Sequence, residues 1–170
     1  FQDAPYTTSI EMVNHIKAVT PDSLQYVIKD MFETITVYDN RIKNVTSTEQ
    51  DNGKYKVDIE FEVSKYRNDE KGKQLFSETG RDSISFLPEG KKKPILSLQL
   101  EDYIDIGVFT EHEVDGKMKE KQLYLKKHKI TAIDNKVSII VDEKPTEAGI
   151  DPYNKLIDRN SGDNRKSVIE

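Results

Sequence analysis

Residues 55–64 read Tyr-Lys-Val-Asp-Ile-Glu-Phe-Glu-Val-Ser, and this alternation decides the fold class. Every second side chain from Tyr55 to Val63 is apolar, and the residues between them are charged. Successive side chains of a strand point to opposite faces, so the stretch predicts a β-strand with one buried and one wet face. A wet face is typical of an antiparallel sheet. Asp51-Asn52-Gly53, just before it, predicts a hairpin turn because Asn and Gly tolerate positive φ.

Similar short strand patterns recur along the chain and are joined by polar turns. No helical pattern separates them, which argues against a parallel α/β sheet. We therefore predict that the chain is mainly β, and α+β overall. Its strands are expected to form an antiparallel β-sandwich that is immunoglobulin/fibronectin-III-like. The patterns are Ile35 with Val37, 41–48, Ile84 with Phe86, Leu96 with Leu98 and Leu100, Ile104 with Ile106 and Val108, Leu123 with Leu125 after the turn Asp115-Gly116, and a last hairpin over 130–141 that turns at Asp134-Asn135.

The first 34 residues predict a helix pair ahead of the sandwich. Thr8 or Ser9 can cap a first helix. Thr20 is a natural N-cap of a second helix, with Pro21 at its first position, where no amide donor is needed. The apolar positions are Ile10, Val13 and Ile16 in the first helix, and Leu24, Val27, Ile28, Met31 and Phe32 in the second. The second set forms one stripe, which indicates a packing face rather than a cofactor site.

The chain divides by pattern into three parts. Residues 1–34 form the helical segment, 35–143 the β-sandwich domain, and 144–170 an extended C-terminal tail. In the tail, Asp151-Pro152 can start a short helical turn, and 160–166 is polar and expected to be loose. The first residues carry no starting Met and no signal segment, so we expect the sequence to begin inside a longer chain.

The composition excludes several classes of function. The chain has 170 residues and a net charge of -5, which argues against a nucleic-acid partner. It has no cysteine, so disulfides, Cys-ligated zinc and thiol catalysis are excluded. No stretch reaches the apolar length of a membrane span, so we expect no direct membrane insertion by this part.

No motif predicts a catalytic or metal site in this chain. His112-Glu113 begins like the zinc-protease pattern His-Glu-x-x-His, but position 116 is Gly at a predicted turn. Two imidazoles one helical turn apart are needed to reach one metal, and a β-turn cannot supply them. Glu60 and Glu62 lie on the wet face of a strand and are interpreted as solvated carboxylates rather than a catalytic pair. We therefore predict that this chain is not itself an enzyme and holds no cofactor.

The tail resembles a known group of proteins. The segment 148–160, Ala-Gly-Ile-Asp-Pro-Tyr-Asn-Lys-Leu-Ile-Asp-Arg-Asn, is similar to the C-terminal segment of bacterial aminopeptidase N-like zinc metallopeptidases (gluzincins) of the Bacteroidetes type. The segments Asp105-Ile106-Gly107-Val108-Phe109, Val19-Thr20-Pro21 and Tyr38-Asp39-Asn40-Arg41 fit the same group. Its members resemble a fusion of an ABC-transporter permease-like membrane part with a zinc peptidase domain.

The resemblance implies a larger parent that removes N-terminal residues from peptides. The catalytic zinc, its His-Glu-x-x-His helix and a Gly-x-Met-Glu-Asn motif are expected upstream, since this chain has neither motif. The partner implied for this chain is the upstream metallopeptidase domain. The parent is expected to be membrane-anchored, with this part extracytoplasmic.

Two functions from different classes follow. The first is a non-catalytic accessory domain that braces the catalytic domain or walls its substrate cleft. Its possible interdomain docking residues are Tyr153, Leu156, Ile157 and Arg159, and the alternative is that they pack on their own sandwich. The second is an independent binding module for a peptide, a glycan or an envelope partner. An accessory domain is expected to expose an apolar surface near the N-terminal helices, and an independent binder is not.

Overall fold

The alternating strand at 55–64 lies at the centre of the first of two antiparallel sheets. The computed structural model describes residues 6–77, 84–85 and 100–169. Strand β1 (Ile35–Glu49) turns at Gly53, which has a φ of 75°, into β2 (Tyr55–Asn68), with Tyr38 opposite Lys65. The other edge of β2 pairs with β7 (Asp134–Val141) and with β3 (Gln74–Ser77), and β3 pairs with β4 (Ile84–Ser85).

Within the described residues, the second sheet consists of four strands in the order β6-β5-β8-β9. Strands β5 (Asp102–Val114) and β6 (Lys117–Ile130) form a long hairpin whose turn has positive φ at Asp115 and Gly116, as predicted. Strands β8 (Glu147–Ile150) and β9 (Arg165–Ser167) complete the sheet. Part of the predicted tail, 144–170, therefore belongs to the sheet.

The core lies between the two sheets, so the predicted antiparallel β-sandwich with an N-terminal helix pair is confirmed. The apolar side chains of β2 and β5 supply its centre because strand alternation turns them to the same side. Burying each such side chain contributes roughly 1.5–3 kcal/mol. The least exposed core residues are Val45, Val57, Ile59, Val63, Ile104, Ile106, Val108, Ala148 and Ile150.

The predicted last hairpin over 130–141 is wrong. Strand β6 ends at Ile130, and β7 pairs with β2 in the opposite sheet, with Ile139 opposite Val57. Residues 131–133 therefore cross from one sheet to the other, and Ile133 accepts a hydrogen bond from the Val63 amide at 2.9 Å. Alternation shows which face of a strand is buried, but it does not show which strand lies beside it.

The first predicted helix is confirmed as α1 (Ser9–Val19), and its cap is Thr8. The Thr8 hydroxyl accepts a hydrogen bond from the Glu11 amide at 3.2 Å, and the Glu11 carboxylate accepts one from the Thr8 amide at 2.6 Å. This is the capping-box arrangement, in which two otherwise unsatisfied amides are paired. None of the residues of α1 is buried.

The second helix differs from its prediction. Thr20 ends α1 instead of starting a new helix, and its hydroxyl donates to the Ile16 carbonyl at 2.7 Å. A 3-10 turn (Asp22–Leu24), a short α2 (Gln25–Ile28) and a π-helical turn (Lys29–Glu33) follow. The changing pitch breaks the regular 3.6-residue repeat, so Ile28 is buried while Met31 is exposed.

The C-terminal segment is ordered against the sandwich. Asp151 has a φ of 42°, and its carboxylate accepts hydrogen bonds from the Lys155 and Leu156 amides at 3.0 and 2.9 Å. This closes a non-helical turn at the place where a short helical turn was predicted. The expected loose stretch 160–166 contains a 3-10 turn (Ser161–Asp163) and Asn164, which is fully buried.

Some sequence predictions lie outside the described residues. They concern the strand patterns with Phe86, Leu96 and Leu98.

Candidate functional site

A groove of about 900 Å³ opens at one end of the sandwich, beneath the helical segment. We call it the end groove. Its walls come from four places that are distant in sequence: 23–31 of the helical segment, 34–38 at the start of β1, 102–104 at the start of β5, and 155–157 of the C-terminal segment. Lys127 of β6 completes its rim.

A buried ion network lies beside the floor of the groove. Asp30 contacts Lys65 Nζ and Arg67 Nη2, each at 2.5 Å, and Lys65 Nζ contacts Asp102 Oδ1 at 2.8 Å. All four side chains are 4–8 % exposed. The two Asp30 oxygens form ion pairs with these cations, but the contacts do not have hydrogen-bond geometry. Two anions and two cations balance, which reduces the large cost of burying each charge alone.

Two tyrosines enclose the ammonium group of Lys65. The Tyr38 hydroxyl donates to Asp102 Oδ1 at 2.8 Å. Burial raises the pKa of Tyr38 far above its usual value, and the charge of Asp102 adds to the rise. Tyr38 therefore stays protonated and keeps donating. Lys65 Nζ also lies 5.2 Å from the centre of the Tyr26 ring and 5.7 Å from that of Tyr38, within reach of cation–π attraction.

The network joins the helical segment to both sheets. Asp30 comes from the π-helical turn, Lys65 and Arg67 from β2, and Asp102 from β5. The Tyr26 hydroxyl accepts a hydrogen bond from the Tyr103 amide at 3.1 Å and adds a second link. Because paired buried charges are held in one geometry, the helical segment is fixed as one wall of the groove.

The walls of the end groove are mainly apolar and remain exposed. Five large apolar side chains line it, each more than a third exposed: Leu24, Met31, Ile35, Tyr103 and Ile157. Single exposed apolar residues are ordinary, but several around one concave site mark an interaction surface.

The rim carries two lysines that share one carboxylate. Lys155 Nζ lies 2.7 Å from Asp105 Oδ2, and Lys127 Nζ lies 3.4 Å from Asp105 Oδ1. Burial of Asp105 raises the pKa of its carboxyl, but the hydrogen bond from Lys155 and the charge of Lys127 outweigh it, so the pKa lies below the usual value. Asp105 is therefore ionised at neutral pH and holds both lysines beside the groove.

The four predicted docking residues differ in their surroundings. Tyr153 packs edge-on against Phe109, with ring centres 5.9 Å apart. Leu156 packs on the sandwich core and also lines the groove, and the Arg159 guanidinium lies 5.5 Å from the centre of the Tyr66 ring. Ile157 is 70 % exposed at the groove. Their contacts with another domain stay a prediction.

The residues considered for a catalytic or metal site are exposed or form ion pairs with lysines. His112 is exposed on the β5–β6 hairpin. His128 is half-buried and shares a hydrogen bond of 2.8 Å with Tyr124, and burial lowers the pKa of its imidazole. Glu60 pairs with Lys136 at 2.9 Å, and Glu62 pairs with Lys43.

Sequence reasoning missed the ion network, although the pattern contains a signal for it. The apolar alternation of β2 continues past Val63 to Lys65 and Arg67, so both cations lie on the inner face. Asp102 stands in phase with Ile104 and Ile106 in the same way. A charged residue that continues the apolar face of a strand indicates a buried ion pair, because an unpaired buried charge is too costly.

Within 6–77, 84–85 and 100–169, no group of three or more acidic or histidine side chains is arranged to hold a metal ion. No helix in that part of the chain has the length and hydropathy to cross a membrane. No family model, no curated protein and no solved structure matches this chain.

Proposed function

We propose that this chain is a non-catalytic docking domain that holds a neighbouring protein domain through the end groove. In line with the resemblance of its C-terminal segment, the neighbour is the upstream domain of a membrane-linked zinc aminopeptidase. The chain braces that domain or walls its substrate cleft. The catalytic zinc belongs to the upstream domain.

The observation that carries the proposal is the position of the exposed apolar side chains. Leu24, Met31, Ile35, Tyr103 and Ile157 line the groove next to the N-terminal helical segment, where an accessory domain is expected to meet the domain before it. The helical segment adds Phe32, which is also more than a third exposed. Covering these side chains would contribute a favourable free energy of about 25 cal/mol for each Å² of apolar area removed from water, before the costs of association are subtracted.

An independent binding module is the second candidate function. The volume of the end groove falls within the range of small-ligand sites, and a short peptide or a glycan could fill part of it. The dominance of apolar side chains favours a peptide over a glycan, because sugars need many hydrogen-bond partners. In the first candidate function a neighbouring protein domain covers the groove, whereas in the second a peptide or a glycan occupies it.

The test is binding between this chain and the zinc peptidase domain, each produced separately and measured by calorimetry. Ile157→Asp is expected to weaken binding at least tenfold, because it places a charge in the apolar contact. Ile140→Asp is the matched control: Ile140 is 63 % exposed on β7 and does not line the groove.

Activity on an aminoacyl fluorogenic substrate separates the remaining outcomes. The chain alone is expected to be inert with added zinc, and turnover that a chelator stops would refute the docking proposal. Binding that Ile140→Asp weakens as much as Ile157→Asp would place the interface elsewhere. No binding at all to the peptidase domain would leave the independent module as the better function.

A further inference from the structure

We propose that the outer end of the β5–β6 hairpin binds the same hairpin of a second copy of this chain, with the acidic face of one lying on the basic face of the other. This end, residues 111–121, is called the hairpin arm. No residue of the hairpin arm lines the end groove, so the proposed contact is separate from the docking function.

Within the described residues, nothing covers the hairpin arm on either face. Residues 104–110 of β5 are buried, whereas 111–113 and 115–121 are exposed and Val114 is half-buried. A two-stranded hairpin that is wet on both faces is only marginally stable by itself. The hairpin arm is therefore a surface that another molecule can bury.

One face of the hairpin arm is acidic. Residues directly opposite each other on antiparallel strands share a face, and Glu111 lies opposite Glu120, with Glu113 two positions further along β5. At the base of this face, Arg165 contacts Glu120 and also Glu147 of β8. Four carboxylates therefore meet one guanidinium on this side, and Glu111 and Glu113 form no ion pair among the described residues.

The opposite face of the hairpin arm is basic. It carries Lys117, Lys119 and Lys121, with His112 opposite Lys119. Glu143 contacts Lys121 at the base of this face. Lys117 and Lys119 form no ion pair among the described residues, so positive charge remains there.

This separation of charge does not serve the stability of the hairpin arm itself. None of the cross-strand pairs between 110–114 and 117–121 joins opposite charges, and Glu111 opposite Glu120 places two like charges together, which is destabilising. Asp115 lies in the turn that joins the strands and belongs to neither face. A pattern that disfavours the isolated element is expected where a contact with another molecule uses it.

A second copy of the chain supplies the matching pattern. Glu111 and Glu113 are two positions apart on one strand, as are Lys117 and Lys119 on the next, so both pairs span about 6.8 Å. In a face-to-face stack, the two carboxylates of one arm can meet the two ammonium groups of the other. A two-fold dimer would bring identical faces together, so the contact is heterologous and leaves one face of each copy open to the next.

Sedimentation equilibrium measures this association. Two strands about 14 Å long offer far less than the roughly 800 Å² that each partner of a stable complex buries, so the association is weak and is measured at high protein concentration. It is expected at about 20 mM salt and should weaken at least about tenfold at about 300 mM, because exposed charges are screened. The masses should fit an open series of copies rather than a closed dimer.

Two double variants test the faces. Glu111→Lys with Glu113→Lys makes both faces basic, and Lys117→Glu with Lys119→Glu makes both faces acidic. Each variant alone should lose at least about tenfold in association, since like charges would meet. An equimolar mixture should restore it, because a basic face of one variant would meet an acidic face of the other. All four side chains are exposed, and circular dichroism checks the fold.

Lys71→Glu with Lys73→Glu is the matched control and should associate as the unaltered chain does. Both lysines are exposed in the turn between β2 and β3, and the pair has the same spacing and the same change in net charge. An unaltered chain that stays monomeric at low salt, a closed dimer, an equal loss in the control, or a mixture that stays monomeric would each overturn the proposal. If Ile157→Asp abolishes association and both arm variants retain it, the second copy occupies the end groove instead, and the contact between arms is overturned.

Discussion

Replacing Asp30 with Asn is expected to destabilise the fold by about 3–5 kcal/mol, the usual cost of leaving a buried charge without its partner. The network shows where this cost arises. Lys65 keeps Asp102 at 2.8 Å, so its charge stays compensated. Arg67 loses its carboxylate and retains, among the described residues, the Thr36 hydroxyl. One guanidinium that is 8 % exposed is then left without an anion.

Urea unfolding followed by circular dichroism measures this change, since the free energy of unfolding falls linearly with urea. Glu60→Gln is the control, because it removes a carboxylate from the exposed pair with Lys136, and the urea midpoint should move far less. If Asp30→Asn lowers the free energy of unfolding by less than about 1 kcal/mol, the buried charges do not depend on one another for compensation, and the reasoning is refuted.

A double variant tests the same reasoning from the opposite side. Asp30→Leu leaves Arg67 unpaired, whereas Asp30→Leu with Arg67→Met removes both charges and keeps the Lys65–Asp102 pair. Apolar replacement of a whole buried pair is often neutral or stabilising. The double variant should therefore be more stable than Asp30→Leu by about 1 kcal/mol or more. A double variant that is less stable than the single one would contradict the electrostatic explanation.

Three further predictions concern other parts of the chain. Gly107→Ala should destabilise the fold by about 1–3 kcal/mol in thermal unfolding, because the new Cβ would come within 2.6 Å of the buried Phe109 ring. Gly162→Ala is the control and should not destabilise the fold, since the nearest neighbour of its Cβ is at 3.4 Å. Thr8→Ala should speed amide hydrogen exchange in α1 but leave the midpoint of global unfolding unchanged, since α1 buries none of its residues. A fall in the global midpoint that accompanies the faster exchange would contradict this prediction. Burial raises the pKa of Asp151, so its protonated form contributes stability below about pH 4 that is lost as the pH rises through the folded pKa. The stability of wild type relative to Asp151→Asn should therefore fall between pH 3 and pH 7, and a constant difference would refute it.

Local patterns in the sequence were enough for the elements that depend on neighbours along the chain. The alternation at 55–64 predicted β2 and its wet face, and the turns at Gly53 and Gly116 were placed because positive φ is costly for other residues. Thr8 or Ser9 as a cap predicted the start of α1 for a similarly local reason, since a cap and the amide that it pairs lie within one turn.

The partners of the elements, and with them the end groove, were decided by tertiary structure. β7 pairs with β2 instead of β6, since burial between two sheets depends on which faces meet in space. The stripe from Leu24 to Phe32 predicted a buried face, yet most of it borders an open groove after the helix changes pitch. Lys65 and Asp102 are 37 residues apart, and nothing in a single sequence states that they meet. Alternation places a charge on the inner face, but only the packing of one sheet on the other supplies the opposite charge that makes its burial affordable.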